Sequence, residues 1–223
     1  KHAVAVTNGT AALEMAAAAL GLKESDEVIM PTFTIISCAQ AVVKLGAKPV
    51  LVDCEPDSFN MKVENIEPRI TEKTKAIMVA HIYGLPVDMD PVLEIARKYH
   101  LKIIEDAAEM HGQTYKGRKC GSFGDISIFS FYPNKHITTG EGGMALTDDP
   151  FLAERCESLR NLCFVPGKRF VHEELGWNLR MTNLQAALGV AQFERLDEFI
   201  AKKRWIGQMY QELLADIDVI QLP

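Results

Sequence analysis

Apolar residues follow two rhythms along this chain. In the first half, short runs that are apolar at nearly every position (residues 3–7, DEVIMP, AKPVLVD, 76–80 and 101–105) alternate with longer stretches in which apolar residues recur at helical spacing (10–20, 35–45 and 91–99). Gly21 and Gly46 stand just past two of those stretches, where a helix closes most easily. Runs apolar on both faces, separated by helices, predict a mainly parallel sheet covered on each side.

The rhythm changes after residue 113. TYKGRKCGS has the turn chemistry of a hairpin, and the strand-like ISIFSF and GGMALTD have no helical stretch between them. The second half of the sheet is therefore expected to be mixed. A helix over 150–162, a glycine- and proline-bearing loop over 163–176 and one long amphipathic helix over 183–209 complete the reading. The chain opens on Lys1-His2 without a methionine, and its IDVIQLP end reads as the start of another strand. Both ends suggest a piece of a longer protein. Residues 1–200 form a large domain, and 201–223 lead into a second, smaller one.

Composition narrows the function classes. A formal charge of −6 and basic clusters no longer than three residues argue against nucleic acid as a partner. The five cysteines form no CxxC pair and no ligand spacing with the six histidines, so they read as reduced thiols buried as small hydrophobes. No apolar run approaches the roughly 18 residues that a membrane helix needs. The expectation is a cytoplasmic protein without a membrane partner and without a metal.

In an open α/β sheet, ligands sit beyond the carboxyl ends of the strands. The residues at those ends here are Asn8-Gly9-Thr10, Pro31-Thr32-Phe33, Asp53, His81-Ile82-Tyr83, Asp106 and Lys135. In TNGTAAL, a strand, a turn and a helix start supply free backbone N–H groups and a hydroxyl for an anion, or else a plain threonine cap. Asp106, after Glu105 at a buried strand end, is either a carboxylate paired with a cationic group or a helix cap. Lys135, held in the turn of FYPNKHITTGEGG, is either a solvated cation or an amine nucleophile. Taken together, an anion cradle, a buried carboxylate and a later lysine are what pyridoxal 5′-phosphate requires: an anchor, an electronic tuner and a covalent tether.

NGTAAL, EDAAEMHG, GSFGDISIFSFYPNKHITTGEGGMALTDD and ELGWNLRMTNLQAALGVAQFERLD occur in that order, and the sequence they form resembles the DegT/DnrJ/EryC1/StrS family of sugar aminotransferases along essentially its whole length. The resemblance implies a type I pyridoxal-phosphate transferase fold, like aspartate aminotransferase, with a mainly parallel mixed sheet between helices. It implies Lys135 as the covalent tether and proton shuttle, and Asp106 as the partner of the pyridine nitrogen. Glu109 falls beside the ring's phenolic oxygen, and Gly9, Thr10 and Ser130 on the phosphate. Asn178 would be supplied to the phosphate by the neighbouring subunit, making a homodimer the smallest active unit.

The implied reaction moves an amino group from L-glutamate to a nucleotide-linked 4-keto-6-deoxy sugar. ITTGEGGM with GWNLRMTNLQAALGVAQ points, within the family, to a GDP-linked sugar aminated at C4. Ile35 departs from the pattern, because many members place there an aromatic residue that stacks on the cofactor. A dehydratase branch replaces the lysine by histidine, whereas here Lys135 is kept and His136 comes after it. That favours transamination over a dehydratase, and the presence of every implied cofactor ligand except the aromatic stack weighs against the other alternative, a non-catalytic regulatory protein that binds the cofactor. His172, Lys168 and Arg169 could meet the substrate's diphosphate, but read better as a solvated loop.

Overall fold

The computed structural model describes residues 1–220 and Leu222. Strands β1 (His2–Val6), β2 (Glu27–Pro31), β3 (Lys48–Val52), β4 (Thr74–Ala80) and β5 (Lys102–Asp106) alternate with helices α1 (Gly9–Ala19), α2 (Ile36–Val43) and α3 (Met89–Tyr99). A small hairpin of β6 (Thr114–Tyr115) and β7 (Arg118–Lys119) comes next, turning through Lys116 and Gly117, both at positive φ. Then come β8 (Ile126–Ser130), β9 (Gly143–Thr147) and α4 (Pro150–Arg160). The main sheet has seven strands in the order β1-β9-β8-β5-β4-β2-β3, and only β9 runs against the others. The mixed second half expected from the missing helix between β8 and β9 is therefore present.

Side-chain alternation explains why the strands read as continuously apolar. Ile29, Ile77, Val79 and Ile103 face one layer, with α3, and Val28, Met30, Ala76, Met78 and Ile104 face the other, with α1, α2 and α4. Both layers are buried, so neither parity of position is free to be polar. At the end of β5 the same alternation sends the consecutive acids Glu105 and Asp106 to opposite faces. Each is buried.

Several expectations are corrected. α1 begins one residue earlier than expected and is capped by Asn8, whose side chain accepts from Ala11 N–H at 2.8 Å. The long helix over 183–209 is instead two, α5 (Asn183–Phe193) and α6 (Leu196–Leu214), with Arg195 non-helical between them. No glycine or proline marks that break. Arg195 holds Glu198 through two hydrogen bonds, and Asp197 and Glu198 in the first turn of α6 suit a fresh helix N-terminus. The loop over 163–176 contains a two-stranded ribbon, β10 (Phe164–Val165) with β11 (Lys168–His172). Among the described residues of IDVIQLP no strand is formed, and 217–220 is a turn closed by Ile220 N–H to Ile217 O. Gln221 and Pro223 of that stretch lie outside the described residues. Among the described residues, no helix is long and apolar enough to cross a membrane, and no cluster of His, Cys, Asp and Glu could hold a metal ion.

Candidate active site

The carboxyl ends of β2, β4, β5 and β8 open on one edge of the sheet, where a crevice of about 910 Å³ is lined by Gly9, Thr10, Asp106, Glu109, Ser130 and Lys135. Five of the strand-end segments meet there as expected. Asp53, Pro31 and Thr32 are not among the lining residues, although Phe33, Thr34 and Ile35 are. Asp53 instead accepts the N–H of the adjacent Cys54.

One end of the crevice is the start of α1. Asn8 takes the N–H of Ala11 through its side chain and that of Ala12 through its carbonyl. The N–H groups of Gly9 and Thr10 have no acceptor among the described residues. They sit at the positive end of the helix dipole. Gly9 lies so close to β8 that a Cβ there would come within 2.9 Å of Ser130 Cβ, so only glycine lets this backbone reach the serine. Thr10 Oγ1 is 2.7 Å from Ser37 Oγ, a hydroxyl that the sequence reading missed because it lies inside α2 rather than at a strand end. Two N–H groups and the hydroxyls of Thr10, Ser37 and Ser130, all lining the same crevice, are the donor set of an anion site.

The middle of the crevice is Asp106. Its Oδ1 accepts from Ala108 N–H at 3.0 Å, and its Oδ2 accepts from the Cys38 thiol at 3.2 Å. No helix starts at Ala107, so the cap reading of Asp106 falls away. Burial is the main influence on its carboxyl and pushes it above the usual range, against the Ala108 and Cys38 hydrogen bonds and the nearby Lys135 charge. Cys38 is therefore more than a small hydrophobe. The local sequence gives no signal for this, since only the helical register of α2 turns the thiol toward β5.

At the far end, Lys135 Nζ is 2.9 Å from Glu109 Oε1, and the lysine side chain is only 15% exposed. A turn closed by Lys135 N–H to Tyr132 O lifts the lysine out of the segment after β8. Thr139 N–H and Thr138 Oγ1 both donate to Phe131 O, and α5 grips the same loop through Gln192 Oε1, which accepts from Thr138 N–H. Beneath the turn, the buried His111 ring packs against Phe129, Phe131 and His136, and burial, with the neighbouring His136 and Lys135 charges after it, pushes it down to about 4. Glu109 is held in turn by Tyr83 N–H, which reaches Oε2 at 2.8 Å because Tyr83 takes a left-handed conformation with φ 51°. Lys135 is thus neither solvated nor free. It is a half-enclosed amine with a carboxylate partner.

The remaining expectations fall elsewhere. Ile35 caps α2 on the crevice wall and is 61% exposed. Asn178 lies outside the crevice, paired through its backbone with Asn161 and accepting from Arg180 Nε. His172 is hydrogen-bonded to Leu162 O, and neither it nor Lys168 lines the crevice. The Arg169 side chain lies outside the described residues.

The chain is similar to known proteins along nearly its whole length. The sequence is 50% identical to the GDP-perosamine synthase of Caulobacter vibrioides over 96% of this chain and 58% of that protein. It is 47% identical to the GDP-perosamine synthase of Escherichia coli O157:H7 over 95% and 58%. Among solved structures it superimposes on ntda from Bacillus subtilis with bound cofactor PMP, at a TM-score of 0.88 and 34% identity, over 97% of this chain and 49% of that one. The expected type I aminotransferase fold holds. The chain spans about 58% of the length of the curated relatives it matches. Over residues 1–223 its sequence matches a single family pattern, and the chain belongs to the DegT/DnrJ/EryC1/StrS aminotransferase family.

Proposed function

We propose that the protein is a pyridoxal 5′-phosphate-dependent aminotransferase. It would transfer an amino group from L-glutamate to a GDP-linked 4-keto-6-deoxy sugar, GDP-4-keto-6-deoxymannose, giving GDP-perosamine for O-antigen or another surface polysaccharide. The observation that carries this reading is the shared crevice of Lys135 and Asp106, with the start of α1 at its other end. The sugar and its nucleotide rest on the two perosamine synthases at 47–50% identity.

The residues present fit the cofactor. Gly9, Thr10 and Ser130 offer donors to its phosphate, and the close approach of Gly9 to Ser130 leaves no room for a side chain that would fill the cradle. Asp106 would offer a buried carboxylate to its ring nitrogen, and Glu109 and Lys135, which line the same crevice, would meet its reactive end. When bound, pyridoxal phosphate supplies a carbonyl that captures amines and a ring that accepts an electron pair.

The chain's own residues do the rest. Lys135 must lose a proton before Nζ can act as a nucleophile or base, and Glu109 is within hydrogen-bond reach to accept it. Nζ then carries protons at the floor of the crevice, where its small exposure limits competition from water. Ile35 packs an apolar side chain on the wall without aromatic stacking, which weakens cofactor retention relative to an aromatic residue. Asn178 fits a two-fold homodimer in which each subunit completes its neighbour's phosphate site. Residues beyond 200, on α6, lead toward a smaller domain that closes over the site.

The full-length protein mixed with pyridoxal phosphate should develop the visible band of a lysine-bound cofactor, and Lys135→Ala should remove it. A band that survives that substitution, or none in the wild type, overturns the reading. Mass spectrometry of products from GDP- and dTDP-linked 4-keto sugars with glutamate then tests the substrate, with an amino sugar from the GDP compound as the expected result.

A further inference from the structure

Cys38 is fully buried in the first turn of α2, and its thiol donates to Asp106 Oδ2 at 3.2 Å. A thiol has one proton, so the Thr34 hydroxyl, 3.3 Å from the sulfur, must donate to it. The result is a directed chain from Thr34 on the crevice wall, through Cys38, to Asp106. The other carboxylate oxygen is held by Ala108 N–H. Each oxygen of Asp106 thus has one fixed donor, which sets the plane of the carboxylate and leaves lone pairs for a group in the crevice. An apolar residue in place of Cys38 would leave Oδ2 buried with no protein donor.

We propose that Cys38 is a positioning residue: its thiol orients Asp106 and weakens it as a base, so that the proton shared with a pyridine ring nitrogen stays on the nitrogen. This rests on the pyridoxal phosphate reading. The chemistry balances as a simple partition, with one proton, two basic atoms and no bond made or broken elsewhere. A hydrogen bond donated to a carboxylate lowers its proton affinity, and without it the proton moves from the ring to Asp106. A ring that has lost its proton accepts an electron pair less well, so the chemical step slows while donor binding is untouched.

The test is ¹⁵N NMR of the full-length holoenzyme loaded with ring-labelled pyridoxal phosphate, for the wild type, Cys38→Ala and Cys38→Ser. In the alanine variant the ring resonance should move toward that of unprotonated pyridine, and kcat should fall about tenfold, the value of one pK unit, with KM for glutamate unchanged. The serine variant, whose hydroxyl restores the donor, should return both to the wild-type position. A merely packing role predicts that serine behaves no better than alanine, and that result overturns the proposal. So does an alanine variant with the wild-type resonance. If the alanine variant does not fold, the serine variant decides alone, since an unprotonated ring in it overturns the proposal and a protonated one supports it. A wild-type protein with no lysine-bound band overturns the cofactor reading itself, a different outcome from failure of the Cys38 variants.

Discussion

Glu105 and Asp106 are neighbours in sequence, both acids and both buried, yet they are used in opposite ways. Glu105 faces the α3 side of the sheet and accepts five hydrogen bonds, from His81 Nε2, the N–H groups of Gly121, Phe123 and Gly124, and the Ser127 hydroxyl. Val87 N–H donates to His81 Nδ1, so the ring proton sits on Nε2 and points at the carboxylate. Burial pushes Glu105 up, but the His81 and backbone hydrogen bonds outweigh it and hold the carboxyl below the usual range. Asp106 has two donors, faces the crevice, and burial prevails. A satisfied carboxylate acts as a fastener. One left partly unsatisfied is available for chemistry.

The contrast is sharpest under substitution. Asp106→Asn should lower kcat by about a thousandfold, within the roughly 10²–10⁴ typical for a group that manages a proton in the transition state, equivalent to about 4 kcal/mol. Thermal melting of the protein without cofactor should be unchanged or raised at neutral pH, because the buried charge is relieved. A clear loss of stability would place Asp106 with Glu105 as a fastener. Glu105→Gln should do the reverse and destabilise the fold by about 2–3 kcal/mol, since an amide cannot accept from all five donors and leaves buried N–H groups unpaired. Its urea midpoint should fall, while the protein that remains folded keeps its turnover. A loss of turnover larger than the unfolded fraction explains would show that the two faces are not separate.

How much of this was legible in the residues depends on the same physics. The strand rhythm, the place of Asp106 and Lys135, and the NGT turn were readable because strand ends and local turns are encoded by neighbours in sequence. Glu105 was visible only as a second acid, since its five donors come from the loop before β8, from Ser127 on β8 itself and from His81 just past the end of β4. Cys38 and Ser37 were hidden for a related reason: their roles depend on the register of α2 against β5 and α1. The break between α5 and α6 escaped because Arg195 and Glu198 make it through side-chain hydrogen bonds rather than through glycine or proline. The mouth of the crevice depends likewise on distant contacts, such as Asn60, which takes Ile82 N–H and donates to Leu85 O around Tyr83.

The smallest effect separates the acids by sign. A carboxyl held low in the folded state adds stability that is complete above its unfolded value near 4.3 and is lost as pH falls through the folded value. Glu105 is of this kind. The advantage of the wild type over Glu105→Gln should therefore shrink on acidification. A carboxyl held high contributes stability that is complete below its unfolded value near 3.9 and is lost as pH rises through the folded one. Asp106 is of that kind. The gain of Asp106→Asn over the wild type should be largest at neutral pH and vanish in acid. Each unit of displacement is worth about 1.4 kcal/mol, so melts of the three cofactor-free proteins between about pH 3 and 7 resolve both trends. Difference curves that converge toward acid from opposite sides would establish that two adjacent residues of one strand are strained in opposite directions. Curves on the same side would mean that Asp106 is already satisfied without a ligand, leaving no physical reason for it to hold a cofactor.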